Sequence, residues 1–190
     1  MTLESILAFA HGLLERTVSS GDAVIDCTMG NGHDTLLLAN LVGKEGRVFA
    51  FDIQEEALEQ TQKLLDAHQV ADQVELIHGS HGDLMAHIPA VLHQRVRAAV
   101  FNLGYLPGGD KRVCTMPETT IHALEGLLSI LAPGGLIVMV VYPGHDAGQV
   151  EALAVLDYCS NLPRELVHVV SYQILNNPKR PPFVIALEKR

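Results

Sequence analysis

Asn102-Leu-Gly-Tyr105 follows the apolar run Ala99-Val-Phe101 and leads into Leu-Pro-Gly-Gly-Asp-Lys-Arg112. A carboxamide and a phenol at the end of an apolar segment are candidate site residues. The amide of Asn102 can both accept and donate a hydrogen bond. The ring of Tyr105 can stack on a planar base, a contact that tolerates many sequences. The plain alternative is that Asn102 caps the turn after its strand. Three groups elsewhere could accept a proton in such a site: Asp34, His33 and His145. Asp34 stands first among them, although it equally suits the cap of a helix. Tyr142-Pro-Gly-His145 leaves a second apolar run, so Tyr142 and His145 are candidates for the same pocket. Thr115, Thr119 and Thr120 fit helix capping or phosphate contact alike.

A second constellation binds rather than reacts. Ala23-Val-Ile25 runs into Asp26-Cys-Thr-Met-Gly-Asn-Gly-His-Asp34, with Gly30 and Gly32 one residue apart. In a strand, glycine turn and helix, the first glycine permits the tight turn and the second lets a ligand approach the backbone. Thr35 stands where a dinucleotide fingerprint carries its third glycine. Arg47-Val-Phe-Ala-Phe-Asp52 ends in a carboxylate about 20 residues past the turn, where an acid accepts from both hydroxyls of a ribose. Asp52 is also an N-cap candidate for the helix that follows, and Gln54 adds an amide beside it. Ser80, His81 and Asp83 supply polar groups on the adenine side of such a crevice, and His81 suits a surface loop equally well.

These residues need elements to hold them. Strands are expected at 23–27, 47–52, 74–78, 96–102, 136–142, 166–172 and 183–187. Helices are expected at 34–42, 55–68, 118–131 and 147–160, with a short turn near 83–88. Residues 1–18 place Leu3, Ile6, Leu7, Phe9, Ala10, Leu13 and Leu14 at helical spacing, an amphipathic helix packed on the rest. Aliphatic strands alternating with helices imply crossovers and a mostly parallel sheet covered on both faces. The connection Gln173–Pro182 is too short for a parallel crossover, so the last two strands should form an antiparallel hairpin at the sheet edge. The expected fold is α/β: a Rossmann-like, doubly wound, mostly parallel seven-stranded sheet with a C-terminal antiparallel hairpin, one domain over residues 1–190.

Glu125-Gly-Leu-Leu-Ser-Ile-Leu-Ala-Pro-Gly-Gly-Leu-Ile-Val-Met-Val-Val141 is a helix, a Pro-Gly-Gly turn and an apolar strand. With VIDCTMGNG, VFAFD and the closing hairpin, this order resembles the class I S-adenosylmethionine methyltransferases. The resemblance implies that Asp26, Gly30, Asn31 and Gly32 face the methionine part of the cofactor and Asp52 its ribose. A methionine moiety has no pyrophosphate, which accounts for the missing third glycine. Many methyltransferases of amino groups on bases carry Asn/Asp-Pro-Pro-Tyr after the fourth strand; Asn102-Leu-Gly-Tyr105 keeps both ends and replaces both prolines. The resemblance implies that Asn102 accepts from an amine, holding its lone pair toward the sulfonium methyl, while Tyr105 stacks on a base. FNLGYLPGGDKR, TMGNGHDT, YPGH and NPKRPPF resemble a narrower family: small bacterial proteins long labelled rRNA methylases and now associated with the tRNA wobble uridine. That resemblance implies N-methylation of 5-aminomethyl-(2-thio)uridine at the wobble position, a homodimer, and a cofactor site at Asn31, His33, Asp52, Gln54, Ser80 and His81.

Composition sets the limits. Hydrophobic residues are 48% and aromatic ones 5% of 190 residues, so aliphatic packing should dominate the core. No apolar run reaches the roughly 18 residues of a membrane span, and the N-terminus lacks a basic signal-peptide region. Three scattered cysteines fit a reducing cytoplasm, and ten histidines without paired spacing offer no metal site. Net charge is −9, which argues against indiscriminate nucleic-acid coating. Yet residues 1–94 hold 4 basic against 14 acidic side chains, and residues 95–190 hold 9 against 8. A polyanion such as the tRNA anticodon stem-loop should therefore meet the second half, through Lys111/Arg112 and Lys179/Arg180. The rival readings are an rRNA or small-molecule amine methyltransferase, a nicotinamide-dependent oxidoreductase, and a non-catalytic cofactor-binding module.

Overall fold

The computed structural model describes residues 2–110 and 112–190. Its elements run α1 (Ile6–Thr17), β1 (Ala23–Asp26), α2 (His33–Val42), β2 (Arg47–Asp52), α3 (Glu55–Ala67), β3 (Val74–His78), β4 (Val96–Leu103), α4 (Pro117–Ile130), β5 (Leu131–Val141), α5 (Asp146–Ser160), β6 (Val167–Tyr172) and β7 (Phe183–Lys189). A short 3₁₀ helix, His81–Ala86, stands where a turn is expected.

The sheet has seven strands in the order β3-β2-β1-β4-β5-β7-β6. Strands β1 to β5 are parallel, while β7 lies antiparallel between β5 and β6. The expected hairpin is there, with its second strand inserted next to β5 rather than added outermost. Alternation of side chains divides the core in two. On one face Phe49, Phe51, Phe101, Ile137 and Met139 pack under α4 and α5 through Leu124, Leu127 and Val155. On the other, Val24, Val48, Val100 and Val138 pack under α1, α2 and α3 through Leu14, Leu38 and Leu65.

Two elements differ from their expected bounds for a physical reason. α4 stops at Ile130, because Leu131 has extended backbone (φ −64°, ψ 140°) and already pairs with Val96. The strand-pairing register then shifts between Val96 and Ala98, so the Pro-Gly-Gly turn becomes part of β5.

α1 is fastened at both ends. Ala10 and Leu14 are buried, and Phe9 stacks on Tyr172 of β6 at 4.1 Å between ring centres. The Tyr172 hydroxyl donates to the Glu4 carbonyl at 2.9 Å, and Arg97 Nε donates to the Thr17 carbonyl at 3.1 Å. The chain moves outward from β1 to β3 and then returns to β4, on the other side of β1. The carboxyl ends of β1 and β4 therefore flank a crevice where the direction of winding reverses, the usual ligand site of an open α/β sheet.

Candidate active site

The crevice has two connected lobes that share Thr28, Gly30, Asn102, Gly104, Tyr105 and Pro107. The smaller, of about 310 Å³, is bounded by Asp52, Ile53, Gln54, Ser80, His81 and Thr119. The larger, of about 1040 Å³, is bounded by Asn31, His33, Asp34, Tyr142, His145, Lys179 and Arg180, with Leu7 and His11 from α1.

The glycine turn is held from several sides. Met29 N–H donates to the Phe51 carbonyl and Gly32 N–H to that of Met29. Gly30 (φ +50°) and Gly32 (φ +83°) take left-handed backbone. The Gly30 N–H donates to Asp52 Oδ2 at 3.0 Å, and the Gln54 N–H to Asp52 Oδ1 at 3.0 Å. Asp52 thus ties the turn to the start of α3. The residue borders the smaller lobe and its carboxylate keeps accepting capacity there, although burial pushes the carboxyl above its ordinary pKa. Gly32 does not open the backbone to a ligand. It lines neither lobe, and a Cβ there would lie 2.8 Å from Thr61 Oγ1 and 3.0 Å from Thr61 Cα. That glycine is required by the closeness of α3.

Asp26 also departs from expectation. It is fully buried beneath the turn and lines neither lobe. Its Oδ2 accepts from Thr35 Oγ1 at 2.6 Å and its Oδ1 from Thr28 N–H at 3.1 Å, so it braces the turn against α2. Thr35, standing where a third glycine would, supplies one half of that brace. Desolvation, with Asp34 as a neighbouring charge, pushes the Asp26 carboxyl up to about 7.

His81 is a buried brace rather than a surface loop residue. Its Nδ1–H donates to the Cys27 carbonyl at 3.0 Å, and its ring meets Phe101 edge-on. Burial lowers its pKa to about 4, so the ring is neutral near pH 7. Ser80 Oγ accepts from Gly82 N–H at 3.1 Å and starts the 3₁₀ helix.

On the acceptor side, Asn102 N–H donates to Thr28 Oγ1 at 2.7 Å, fastening β4 to the glycine turn. Its side-chain Nδ2 donates to Asp34 Oδ2 at 2.7 Å, and His11 Nε2 donates to Asp34 Oδ1 at 2.8 Å. Those hydrogen bonds hold the Asp34 carboxyl below its ordinary range against the opposing effect of burial. With both oxygens engaged and its charge retained, Asp34 is a poor proton acceptor. It orients the amide instead. His11 had no distinguishing signal in the sequence: it lies in an amphipathic helix, and its partnership with Asp34 spans 23 positions.

Tyr105 is 37% exposed, and its ring lies 5.4 Å from that of His145. His145 caps α5: its Nδ1 accepts from Gly148 N–H at 3.1 Å, which leaves the ring proton on Nε2. The loop between Tyr105 and α4 is anchored by a group that sequence reading did not single out. Glu151, buried on α5, accepts from Thr115 Oγ1 at 2.5 Å and Thr120 Oγ1 at 2.7 Å. Those two threonines are therefore spent on the fold rather than on phosphate.

The basic pairs separate. Lys179 and Arg180 stand at the mouth of the larger lobe, and neither forms an ion pair among the described residues. Arg112 does not line either lobe; its guanidinium is folded onto Asp110, with Nη2 2.6 Å from Oδ2. Lys111 lies outside the described residues. Among these, no cluster of His, Cys, Asp or Glu could hold a metal ion, and no helix is long and apolar enough to cross a membrane.

The lining fits S-adenosylmethionine. The smaller lobe offers a carboxylate able to accept from a diol and an apolar wall at Ile53, with no lysine or arginine among the described residues that line it. The turn is ringed by Asp26, Asp34 and Asp52, a setting that favours a sulfonium cation. Fold and site together define an S-adenosylmethionine-dependent methyltransferase of class I. Residues 48–188 match the model of the family described as "Putative rRNA methylase", and residues 2–84 that of protein-L-isoaspartate O-methyltransferases. A Clostridium thermocellum structure described as a "putative rRNA-methylase" superposes with TM-score 0.96 at 39% identity, covering all of both chains. A Streptococcus mutans methyltransferase, crystallised with SAH, gives 0.90 at 35%, again over all of both chains. The chain is 40% identical to a chloroplastic tRNA (mnm(5)s(2)U34)-methyltransferase of Arabidopsis thaliana, over 95% of this chain and 68% of that protein. The chain belongs to this rRNA methylase family.

Proposed function

We propose that the protein methylates the primary amine of 5-aminomethyl-(2-thio)uridine at the tRNA wobble position, giving the 5-methylaminomethyl nucleoside. The observation that carries this reading is the fixed amide of Asn102. Because an ionised carboxylate can only accept, Asp34 takes the Nδ2 end and leaves Oδ1 as the atom offered to the crevice. An acceptor oxygen there suits an amine, which has hydrogens to donate and a lone pair to aim. The name of the Arabidopsis relative supports the choice of nucleoside.

When bound, S-adenosylmethionine supplies an electrophilic methyl on a positively charged sulfur. Asp52 and Gln54 would hold the ribose end, with Ser80 and His81 framing the base, and Gly30, Asn31 and His33 would receive the methionine end. Asn102 Oδ1 accepts one N–H of the neutral amine and turns its lone pair toward the methyl, an orienting role of the kind that lowers barriers substantially. Tyr105, beside His145 and Tyr142, stacks on the uracil. The alkylammonium must first lose a proton. A nearby cation and partial desolvation both lower an amine's pKa, so the proton can leave to water at the open mouth of the crevice without a dedicated base. Lys179 and Arg180 meet the anticodon phosphates. A homodimer working in the cytoplasm completes the reading, on the family resemblance; light scattering tests the dimer.

The deciding experiment supplies S-adenosylmethionine and the protein to tRNA carrying 5-aminomethyluridine, to tRNA lacking it, and to rRNA, and weighs the digested nucleosides. One added methyl on the aminomethyl nucleoside alone is the expected result. Methylation only of rRNA, or of none of the three with cofactor binding intact, refutes the proposal.

A further inference from the structure

Three side chains at the edge of the larger lobe come from three separate elements: His11 from α1, Asp34 from the first turn of α2, Asn102 from the end of β4. Their polar atoms form one chain, with 2.8 Å from His11 Nε2 to Asp34 Oδ1 and 2.7 Å from Asp34 Oδ2 to Asn102 Nδ2. The middle member is 8% exposed and the first is partly exposed. α1 carries Leu7 and His11 one helical turn apart on the face that borders the lobe, and its two ends are tied down by Tyr172 and Arg97.

An asparagine amide can rest in two orientations differing by half a turn, and only one offers its oxygen to an amine. The state of the neighbouring carboxyl decides between them. Ionised, it accepts from Nδ2. Protonated, it donates to Oδ1 and the NH₂ turns toward the crevice. The groups around Asp34 pull in opposite directions. Burial favours the protonated form, and Asp26 beneath the turn adds a carboxyl of the same sign. His33 from α2 and the Asn102 amide from β4 favour the ionised form, as does His11, beyond which stands Glu15 on α1. Tyr142, following β5, faces Asp34 as a neutral phenol whose pKa is raised by burial and by that carboxylate.

We propose that His11 is a positioning residue, which through Asp34 fixes the Asn102 amide with its oxygen toward the crevice. This inference rests on the amine-methylating reading above, and it makes α1 part of the methyl-transfer apparatus rather than only a cover for the sheet.

The test compares His11→Leu, which keeps volume and loses the donor, with His11→Gln, which keeps a neutral donor. Both substitutions lie on a partly exposed helix face, and thermal unfolding confirms that each folds. Methyl transfer by each variant is divided by that of the wild type across pH 5.5 to 9, so that titration of the amine substrate cancels. The His11→Leu ratio should be near level at high pH and fall as pH drops, because loss of the His11 hydrogen bond leaves burial to raise the Asp34 carboxyl toward protonation. The His11→Gln ratio should stay flat. The side-chain amide resonances of Asn102, followed by NMR in the protein without substrate, should shift with pH in His11→Leu and not in His11→Gln. An active wild type with a pH-independent His11→Leu ratio and unmoved amide resonances overturns the assignment of His11 alone. A wild type that methylates no amine overturns the functional reading, and this inference with it.

Discussion

Asp26→Asn isolates a buried carboxyl that the fold holds in an uncomfortable state. The side chain is fully buried, accepts from Thr28 N–H and Thr35 Oγ1, and has its pKa pushed from 3.8 to about 7. A carboxyl raised on folding binds its proton more tightly in the native state. Its contribution is therefore fully favourable below the unfolded pKa and is lost as pH rises from about 4 to about 7. At 1.36 kcal/mol per pKa unit, that gap corresponds to about 4 kcal/mol, an upper figure because a fold under strain relaxes. Asparagine can keep both contacts, with Oδ1 accepting from Thr28 and Nδ2 donating to Thr35 Oγ1, and it has no charge to bury. Urea unfolding of both proteins at intervals from pH 4.5 to 8.5 gives the difference curve, in which every other titrating group cancels to first order. The variant should gain on the wild type by roughly 2 to 4 kcal/mol as pH rises to about 7 and its gain should level off at higher pH. A difference independent of pH would mean that the wild-type carboxyl is ionised throughout, and that its two hydrogen bonds outweigh its desolvation.

Asn102→Ala should bind S-adenosylmethionine normally in calorimetry and slow single-turnover methylation roughly 100-fold, the usual cost of removing one well-placed polar group. In Asp52→Asn, weakened hydrogen bonding to the ribose should reduce cofactor affinity roughly 10- to 100-fold in the same calorimetric experiment. Gly32→Ala forces a Cβ to within 2.8 Å of Thr61 Oγ1 at φ +83°, so the thermal midpoint should drop by an amount equivalent to about 1–3 kcal/mol. Replacing Lys179 and Arg180 by alanine should weaken tRNA binding and reduce the slope of log K against log salt by between one and two; an unchanged slope removes them from the phosphate contacts.

The sheet was legible because its strands are aliphatic and its turns carry glycine and proline. Ala23–Asp26, Arg47–Asp52 and Val74–His78 are short apolar runs with clear stops. What local pattern could not convey was strand order, since only tertiary packing puts β7 between β5 and β6. At the site, positions were legible and roles less so. Asp26, Gly32 and Asp52 surround one turn, and adjacency in sequence could not say which faces the crevice. Structure separates them by depth: Asp52 borders the smaller lobe, while Asp26 and Gly32 lie behind the turn against α2 and α3. Arg112 and Lys179 looked equivalent as members of basic pairs, yet Arg112 is neutralised by Asp110 two residues away. His11 and Glu151 carried no signal at all, because their partners are 23 to 36 positions distant.

The three aspartates around the turn show how one fold gives the same side chain three different states. Asp26 has two hydrogen bonds but no cation, so burial dominates and its carboxyl rises to about 7. Asp34 is nearly as deep, but His11 and Asn102 reverse the direction and hold it ionised. Asp52 is shallower and accepts only from backbone N–H groups, which leaves capacity for a ligand's hydroxyls. A ligand with positive charge near these carboxyls favours their ionised forms; near pH 7 Asp34 has already lost its proton, whereas Asp26, raised to about 7, still holds part of one. Cofactor binding should therefore release protons near pH 7, more from the wild type than from Asp26→Asn. Calorimetric binding enthalpies measured in buffers of different ionisation enthalpy read that number directly. Equal proton release by the two proteins would place the charge of the bound cofactor too far from Asp26 to be felt there.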